Sequence, residues 1–152
     1  VYSNEDVYDI LKYDFIDTVQ LPFNIFDNYN YRENVFKELN KKNIKLLVRS
    51  IFLQGLFFKP VELIPRSLRP LKPALIKLNE LSKKYNLTIN ELSLSYVFNQ
   101  NIDGILIGCD SLKQLKENIK SLKILIDHEI IDEIEKIKIN HISMLDPRNW
   151  KL

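Results

Sequence analysis

Cysteine is nearly absent from this chain of 152 residues, which contains a single cysteine, Cys109. A single thiol excludes an intrachain disulfide and a zinc site built from several cysteines, and it suits a reducing compartment. No apolar run reaches the roughly 18 residues that a membrane span needs. The first residues also lack the basic and apolar pattern of a secretory signal. We therefore expect a cytoplasmic protein with no membrane partner.

An excess of charge of one sign is also missing. Lysine and arginine number 22 and aspartate and glutamate 20, which leaves a net charge of +2. The lysines alternate with acids, as in Lys37 with Glu38 and Lys116 with Glu117, and they form no basic stripe. We therefore expect no nucleic-acid partner. With 45% hydrophobic and 28% charged residues, the chain has a globular composition and can form one domain-sized core.

Short apolar segments alternate with helical patterns along the chain. Strands are predicted at residues 15–21, 44–52 and 102–107, and residues 1–3 have the pattern of a strand end. Helices are predicted at residues 3–12, 34–42, from 73 onward, 88–98, 111–122 and 127–139. Ser3 with Asp6, and Thr88 with Glu91, have the spacing of capping boxes, which start helices.

The connections and strands indicate a parallel α/β fold. Three prolines in residues 55–72 predict a semi-rigid arm over the surface instead of a helix. The segment IKLLVRSIF at residues 44–52 is apolar almost throughout, which is typical of a parallel strand covered on both faces. Strands that alternate with helices predict right-handed βαβ units.

Four such units are too few for a closed barrel. Because an eight-stranded barrel takes about 250 residues, we predict that residues 1–152 form one partial domain, half of a (β/α)8 TIM barrel. An open doubly wound domain is the alternative. The chain begins with Val1 instead of methionine, so we also expect a fragment of a longer protein. Alone, a half barrel would leave two sheet edges exposed.

The segment ILIGCDSLKQLKEN at residues 105–118 has the pattern of an anion site. An apolar strand leads through Gly108 and a polar turn into a helix. The first N–H groups of a helix have no partner within it, and its dipole makes that end partially positive. Glycine lets the backbone approach a ligand closely. The alternative interpretation is the ordinary packing of one more α/β layer.

Two polar residues interrupt apolar strands near their carboxyl ends. They are Gln20, in DTVQLPF, and Arg49, which Ser50 follows in LLVRSIF. Burying an unpaired amide or guanidinium costs several kcal/mol, so each needs a structural partner or a ligand. Because binding sites of parallel α/β folds lie at the carboxyl ends of the strands, Gln20, Arg49 and Gly108 predict one shared site. For Arg49, the alternative is an interior ion pair with an acid on a neighbouring strand.

Three segments carry a resemblance to a known family. VQLPFNIFD at residues 19–27, LVRSIFLQGLFF at 47–58 and ILIGCDSLKQLKENIKSL at 105–122 resemble, in order and spacing, the C-terminal half of an aldo/keto reductase. The opening VYS and the closing DPRNW are also similar to bacterial members. The resemblance implies strands 5 to 8 of a (β/α)8 barrel, completed by the N-terminal half. It also implies NAD(P)H-dependent reduction of an aldehyde or ketone, with the dinucleotide lying across the carboxyl ends of the strands.

By this resemblance, Gln20 would hydrogen-bond the nicotinamide carboxamide. Arg49 stands where many members place a tyrosine against the nicotinamide ring, and a planar guanidinium can also stack there. Ser50 and Phe52 would follow the pyrophosphate. The adenosine end would be formed by Gly108, Cys109, Asp110, Ser111 and Gln114, with Glu117 and Asn118 reaching the adenine.

The resemblance favours NADP(H) as the cofactor, but Asp110 would repel a 2′-phosphate, so NAD(H) is possible. Lys113 would either compensate for that acid or remain a solvated helix lysine. The family's catalytic aspartate, tyrosine, lysine and histidine belong to the first half of the barrel. No catalytic residue is therefore assigned, and we expect this chain alone to be inactive.

The remaining reactive residue types fit structural positions better. We expect His128 and His141 at the surface, and Cys109 as a small packed residue instead of a nucleophile. Two alternatives to an enzyme remain. One is a non-catalytic nicotinamide-binding regulatory or partner subunit, and the other is a half barrel that pairs with itself.

Overall fold

A computed structural model describes residues 1–150 and shows a parallel three-stranded sheet. The strands are β1 (Thr18–Pro22), β2 (Lys45–Arg49) and β3 (Gly104–Ile105). They lie in the order β1, β2, β3, with β1 and β3 each pairing parallel to the central β2. The register aligns Gln20 with Leu47, and Leu47 with Gly104. Strands alternate with helices, which confirms the predicted α/β fold.

Six α-helices accompany the sheet within the described residues. They are α1 (Asn4–Ile10), α2 (Tyr29–Lys41), α3 (Lys72–Tyr85), α4 (Ile89–Phe98), α5 (Leu112–Ser121) and α6 (His128–Glu135). The two predicted capping boxes are present, with Ser3 and Thr88 as N-caps. In both, the cap side chain accepts the third helical N–H while the acid at that position accepts the cap N–H. None of these helices, within residues 1–150, is long and apolar enough to cross a membrane.

Several predicted boundaries were wrong. All three strands are shorter than predicted, and β2 ends at Arg49 because Ser50 has a φ of 62°, which turns the chain out of the sheet. Helix α2 begins at Tyr29 instead of residue 34, and α6 ends at Glu135, before residue 139. The arm at residues 55–72 contains no α-helix before Lys72, but it is coiled into the 3₁₀ turns Leu56–Phe58, Val61–Leu63 and Arg66–Leu71.

One face of the sheet is covered and the other is open. Val19, Leu21, Leu46 and Val48 are at most 4% exposed and pack into the core beneath the helices. The alternate residues of β1 and β2 lie on the opposite face, where Gln20 is exposed. The prediction that residues 44–52 are covered on both faces is therefore wrong for the described chain.

A buried ion pair joins the first loop to α2. Arg32 donates from Nε to Asp27 Oδ1 and from Nη2 to Asp27 Oδ2, each at 2.7 Å. Its remaining donors reach Asn4 Oδ1 at 2.7 Å and the Tyr2 carbonyl at 2.9 Å. Both side chains of the pair are at most 3% exposed. Burial raises the pKa of the Asp27 carboxyl, and the hydrogen bonds and positive charge of Arg32 oppose that rise.

Candidate functional site

A cleft of about 740 Å³ opens at the carboxyl ends of β2 and β3. One wall follows β2 and the loop after it, and the other follows the turn from β3 into α5. Eight of the eleven residues predicted to bind a cofactor line this cleft. They are Arg49, Ser50, Phe52, Gly108, Asp110, Gln114, Glu117 and Asn118. The structure thus brings two sequence segments, residues 49–52 and 108–118, together around one volume.

The loop after β2 has an unusual backbone. Ser50, Leu53 and Gln54 have φ values of 62°, 46° and 54°, in the left-handed region that side chains disfavour, and Gly55 follows at 75°. Such conformations cost on the order of 1 kcal/mol or more each, and they cluster at functional sites. Here they fold the chain back along the cleft, which Ser50, Gln54 and Gly55 all line.

A buried amide holds this loop in place. Asn24 is fully buried, and its Nδ2 donates to the Ser50 carbonyl at 3.1 Å. Its Oδ1 accepts the N–H groups of Phe26 at 2.9 Å and Asp27 at 3.0 Å. One side chain therefore fixes the loops that follow β1 and β2 relative to each other.

The opposite wall is built by the start of α5. Ser111 is its N-cap, and the hydroxyl accepts the Gln114 N–H at 3.2 Å. The Gln114 side chain reaches back and accepts the Asp110 N–H at 2.7 Å. Asn118, which is 7% exposed, donates from Nδ2 to the sulfur of Cys109 at 3.3 Å. These local bonds fix the orientation of both amide side chains that line the cleft.

Gly108 leaves open space on this wall. A Cβ added there would meet no atom within 4 Å. A side chain at this position would extend into unfilled space beside the cleft, so the absence of one keeps the backbone accessible to a ligand.

Arg49 does not form the alternative ion pair. Its Nη2 donates to the Val1 carbonyl at 3.1 Å, its Nη1 lies 3.4 Å from Ser50 Oγ, and its Cζ is 4.2 Å from the centre of the Tyr2 ring. Within residues 1–150 no carboxylate forms a salt bridge with it. The guanidinium is thus stacked on an aromatic ring and is half-buried at the edge of the cleft.

Tyr2 also stacks on a second arginine. The Arg148 Cζ lies 3.4 Å from the centre of the same ring. Asp146 holds Arg148 through hydrogen bonds of 2.6 to 3.0 Å, which lower the pKa of Asp146. The sequence predicts no role for Tyr2 or Arg148, although the segments that contain them, VYS and DPRNW, both belong to the family resemblance.

Three predicted site residues do not line the cleft. Gln20 is exposed on the open face of β1, and Ser111 uses its hydroxyl to cap α5. Cys109 is exposed, so the prediction that it is packed was wrong. The polar turn after Gly108 carries its side chain away from the core, while the sulfur contacts Asn118. His128 and His141 are exposed, as predicted.

Other lining residues are not among those predicted from the sequence. Phe58 lies on the arm and packs against Phe52, with ring centres 5.1 Å apart. Asn90 reaches the cleft from α4 and donates to Ser121 Oγ at 2.8 Å. Neither residue comes directly after a strand, so a rule based on strand ends could not identify Phe58 or Asn90. Within residues 1–150, no group of three or more His, Cys, Asp or Glu side chains could hold a metal ion.

Comparisons with known proteins place this geometry in a family. The sequence model of the Aldo/keto reductase family matches residues 2–139. No curated protein gave a sequence match. The fold matches the holo form of an aldo-keto reductase from Bacillus halodurans with a TM-score of 0.70 and 19% identity, over 90% of this chain and 47% of the other. Its apo form matches with a TM-score of 0.70 and 20% identity, over 90% and 48%.

The chain spans about half the length of these solved structures. Their fold likeness supports the predicted half of a (β/α)8 barrel over an open doubly wound domain. The family match covers nearly all of the described residues. This chain therefore belongs to the aldo/keto reductase family.

Proposed function

We propose that residues 1–152 are the cofactor-binding half of an oxidoreductase that reduces an aldehyde or ketone with a nicotinamide dinucleotide. The observation that carries the proposal is the cleft at the ends of β2 and β3. Eight residues chosen from the sequence, on the end of β2, the β3 turn and α5, line this single volume.

The residues of the cleft fit a dinucleotide. Its volume of about 740 Å³ is within the usual range for cofactor sites. Gly108 leaves the backbone open, and the amides of Gln114 and Asn118 provide hydrogen-bonding groups at the α5 wall. The cofactor, when bound, supplies the hydride, while the protein orients it and excludes water.

Each side chain would have a separate task. Arg49 and Gln20 would hold the nicotinamide end, and Ser50 with Phe52 would follow the pyrophosphate. Because Cys109 and Ser111 do not line the cleft, they would act by holding Asn118 and Gln114. The remaining residues would surround the adenosine, and these are Gly108, Asp110, Gln114, Glu117 and Asn118.

The N-terminal half of the same barrel is the proposed partner. Leu112, Leu115 and Ile119 form one face of α5 at helical spacing and are 66%, 44% and 49% exposed. The edge of β3 away from β2 has no strand beside it within residues 1–150. We expect the other half barrel to cover this face and edge, and to supply the groups that protonate the carbonyl substrate.

Titration of the intact protein with NADH and NADPH, followed by cofactor fluorescence, tests the proposal. Arg49→Ala and Gln20→Ala should each weaken binding by about tenfold, which corresponds to one lost contact of about 1.4 kcal/mol. Arg69→Ala is the matched control, because Arg69 is exposed and lies outside the cleft. Unchanged affinity in both test variants would show that neither Arg49 nor Gln20 belongs to the site. Binding without any carbonyl turnover would instead favour a non-catalytic nicotinamide-binding subunit.

A further inference from the structure

The α5 side of the cleft is acidic. Asp110 and Glu117 both line it, whereas no lysine does so within the described chain. Carboxylates accept hydrogen bonds from hydroxyl groups and repel phosphate. An acid that accepts from the ribose 2′-hydroxyl is a common feature of NAD sites, whereas an arginine in its place accommodates the 2′-phosphate of NADP.

Neither of the two cations near this wall pairs with Asp110. Lys113 is in the first turn of α5, but its side chain is 85% exposed and its ammonium lies 3.9 Å from Glu117 Oε1. Arg49, the cation that lines the cleft among residues 1–150, is on β2 and contacts Val1 and Tyr2. Neither of these two cations neutralises the negative charge of Asp110.

The backbone donors on this wall are partly occupied as well. The Asp110 N–H is bonded to the Gln114 side chain, and the Gln114 N–H is bonded to Ser111 Oγ. A phosphate that used these donors would have to break both bonds of the cap. A hydroxyl group needs only a carboxylate acceptor, which Asp110 and Glu117 already present.

We propose that this cleft selects NAD(H) over NADP(H), with Asp110 and Glu117 as the specificity-determining residues. The inference rests on the proposed function, since it concerns the adenosine end of the same dinucleotide site. It reverses the preference for NADP(H) that the family resemblance alone suggests.

The experiment compares the two reduced dinucleotides on the intact protein by fluorescence titration. We expect NADH to bind at least tenfold more tightly than NADPH. In the double variant Asp110→Asn with Glu117→Gln, NADPH should bind at least fivefold more tightly than before, because the two repulsive charges are gone. Asn and Gln lack the negative charge that strengthens a hydrogen bond from the ribose 2′-hydroxyl, so NADH should bind more weakly than before, and both changes lower the selectivity. Asp132→Asn, which removes an exposed acid of α6 outside the cleft, is the control and should alter neither affinity.

Salt provides a second readout. Raising the ionic strength screens repulsion between exposed charges, so the ratio of the NADPH and NADH dissociation constants should fall. Equal or tighter binding of NADPH by the unmodified protein would overturn the selectivity. The selectivity would also be overturned if the ratio of the NADPH and NADH dissociation constants were the same in the double variant as in the unmodified protein. Failure to bind either dinucleotide would overturn the proposed function itself, and this outcome is distinct from a loss of selectivity.

Discussion

Replacing Asn24 by alanine should both destabilise the protein and weaken cofactor binding. The variant removes the acceptor of the Phe26 and Asp27 N–H groups and the donor to the Ser50 carbonyl, all at 2.9 to 3.1 Å in a buried setting. At about 1 kcal/mol for each lost hydrogen bond, the free energy of unfolding should fall by about 3 kcal/mol. The loop that contains Ser50 also loses its tether, so dinucleotide affinity should fall as well.

Denaturant unfolding of the intact protein measures the first effect, and fluorescence titration with NADH measures the second. Asn40→Ala is the matched control, because Asn40 is an exposed residue of α2 whose side chain makes no hydrogen bond within residues 1–150. A loss of less than about 1 kcal/mol in Asn24→Ala would refute the argument, since a single hydrogen bond accounts for that much. Unchanged NADH affinity would show that the tether does not shape the cleft.

Three further predictions concern other parts of the structure. Gly108→Val should weaken NADH binding in a titration and leave the melting temperature nearly unchanged, because the added side chain enters open space. Arg32→Met should lower the free energy of unfolding by about 3–5 kcal/mol in denaturant, since it leaves the buried Asp27 carboxylate without its partner. Backbone N–H groups of Ser3 and Tyr2 lower the pKa of Asp6, so its stabilisation is present above the ordinary pKa and is lost as pH falls through the lower folded value. Asp6→Asn should therefore flatten the decline in stability between about pH 5 and pH 2, and an unchanged decline would contradict this.

Local signals in the sequence were sufficient for most helix starts. Ser3 and Thr88 cap their helices as predicted, because a cap depends only on residues three positions away. The early start of α2 could not be predicted in this way. Its first turns carry Arg32, whose place is set by the distant Asn4 and Tyr2 as well as by Asp27.

Part of the site could also be predicted from local signals in the sequence. Strand ends identified Arg49 and Gly108, since parallel strands bring their carboxyl ends to one edge. The same rule placed Gln20 there but could not show that its face of the sheet is open. Phe58 and Asn90 enter the cleft from the arm and from α4, and only the three-dimensional packing shows this.

The stack of Arg49, Tyr2 and Arg148 has a consequence for folding. It joins residues 2, 49 and 148, which are far apart along the sequence, so its formation closes long loops. Closing a long loop costs more entropy than the local contacts of a capped helix, and such contacts are gained late. We therefore expect the segment around Arg148 to dock last during refolding and to detach first. Its backbone amides should exchange with deuterium before those of β2.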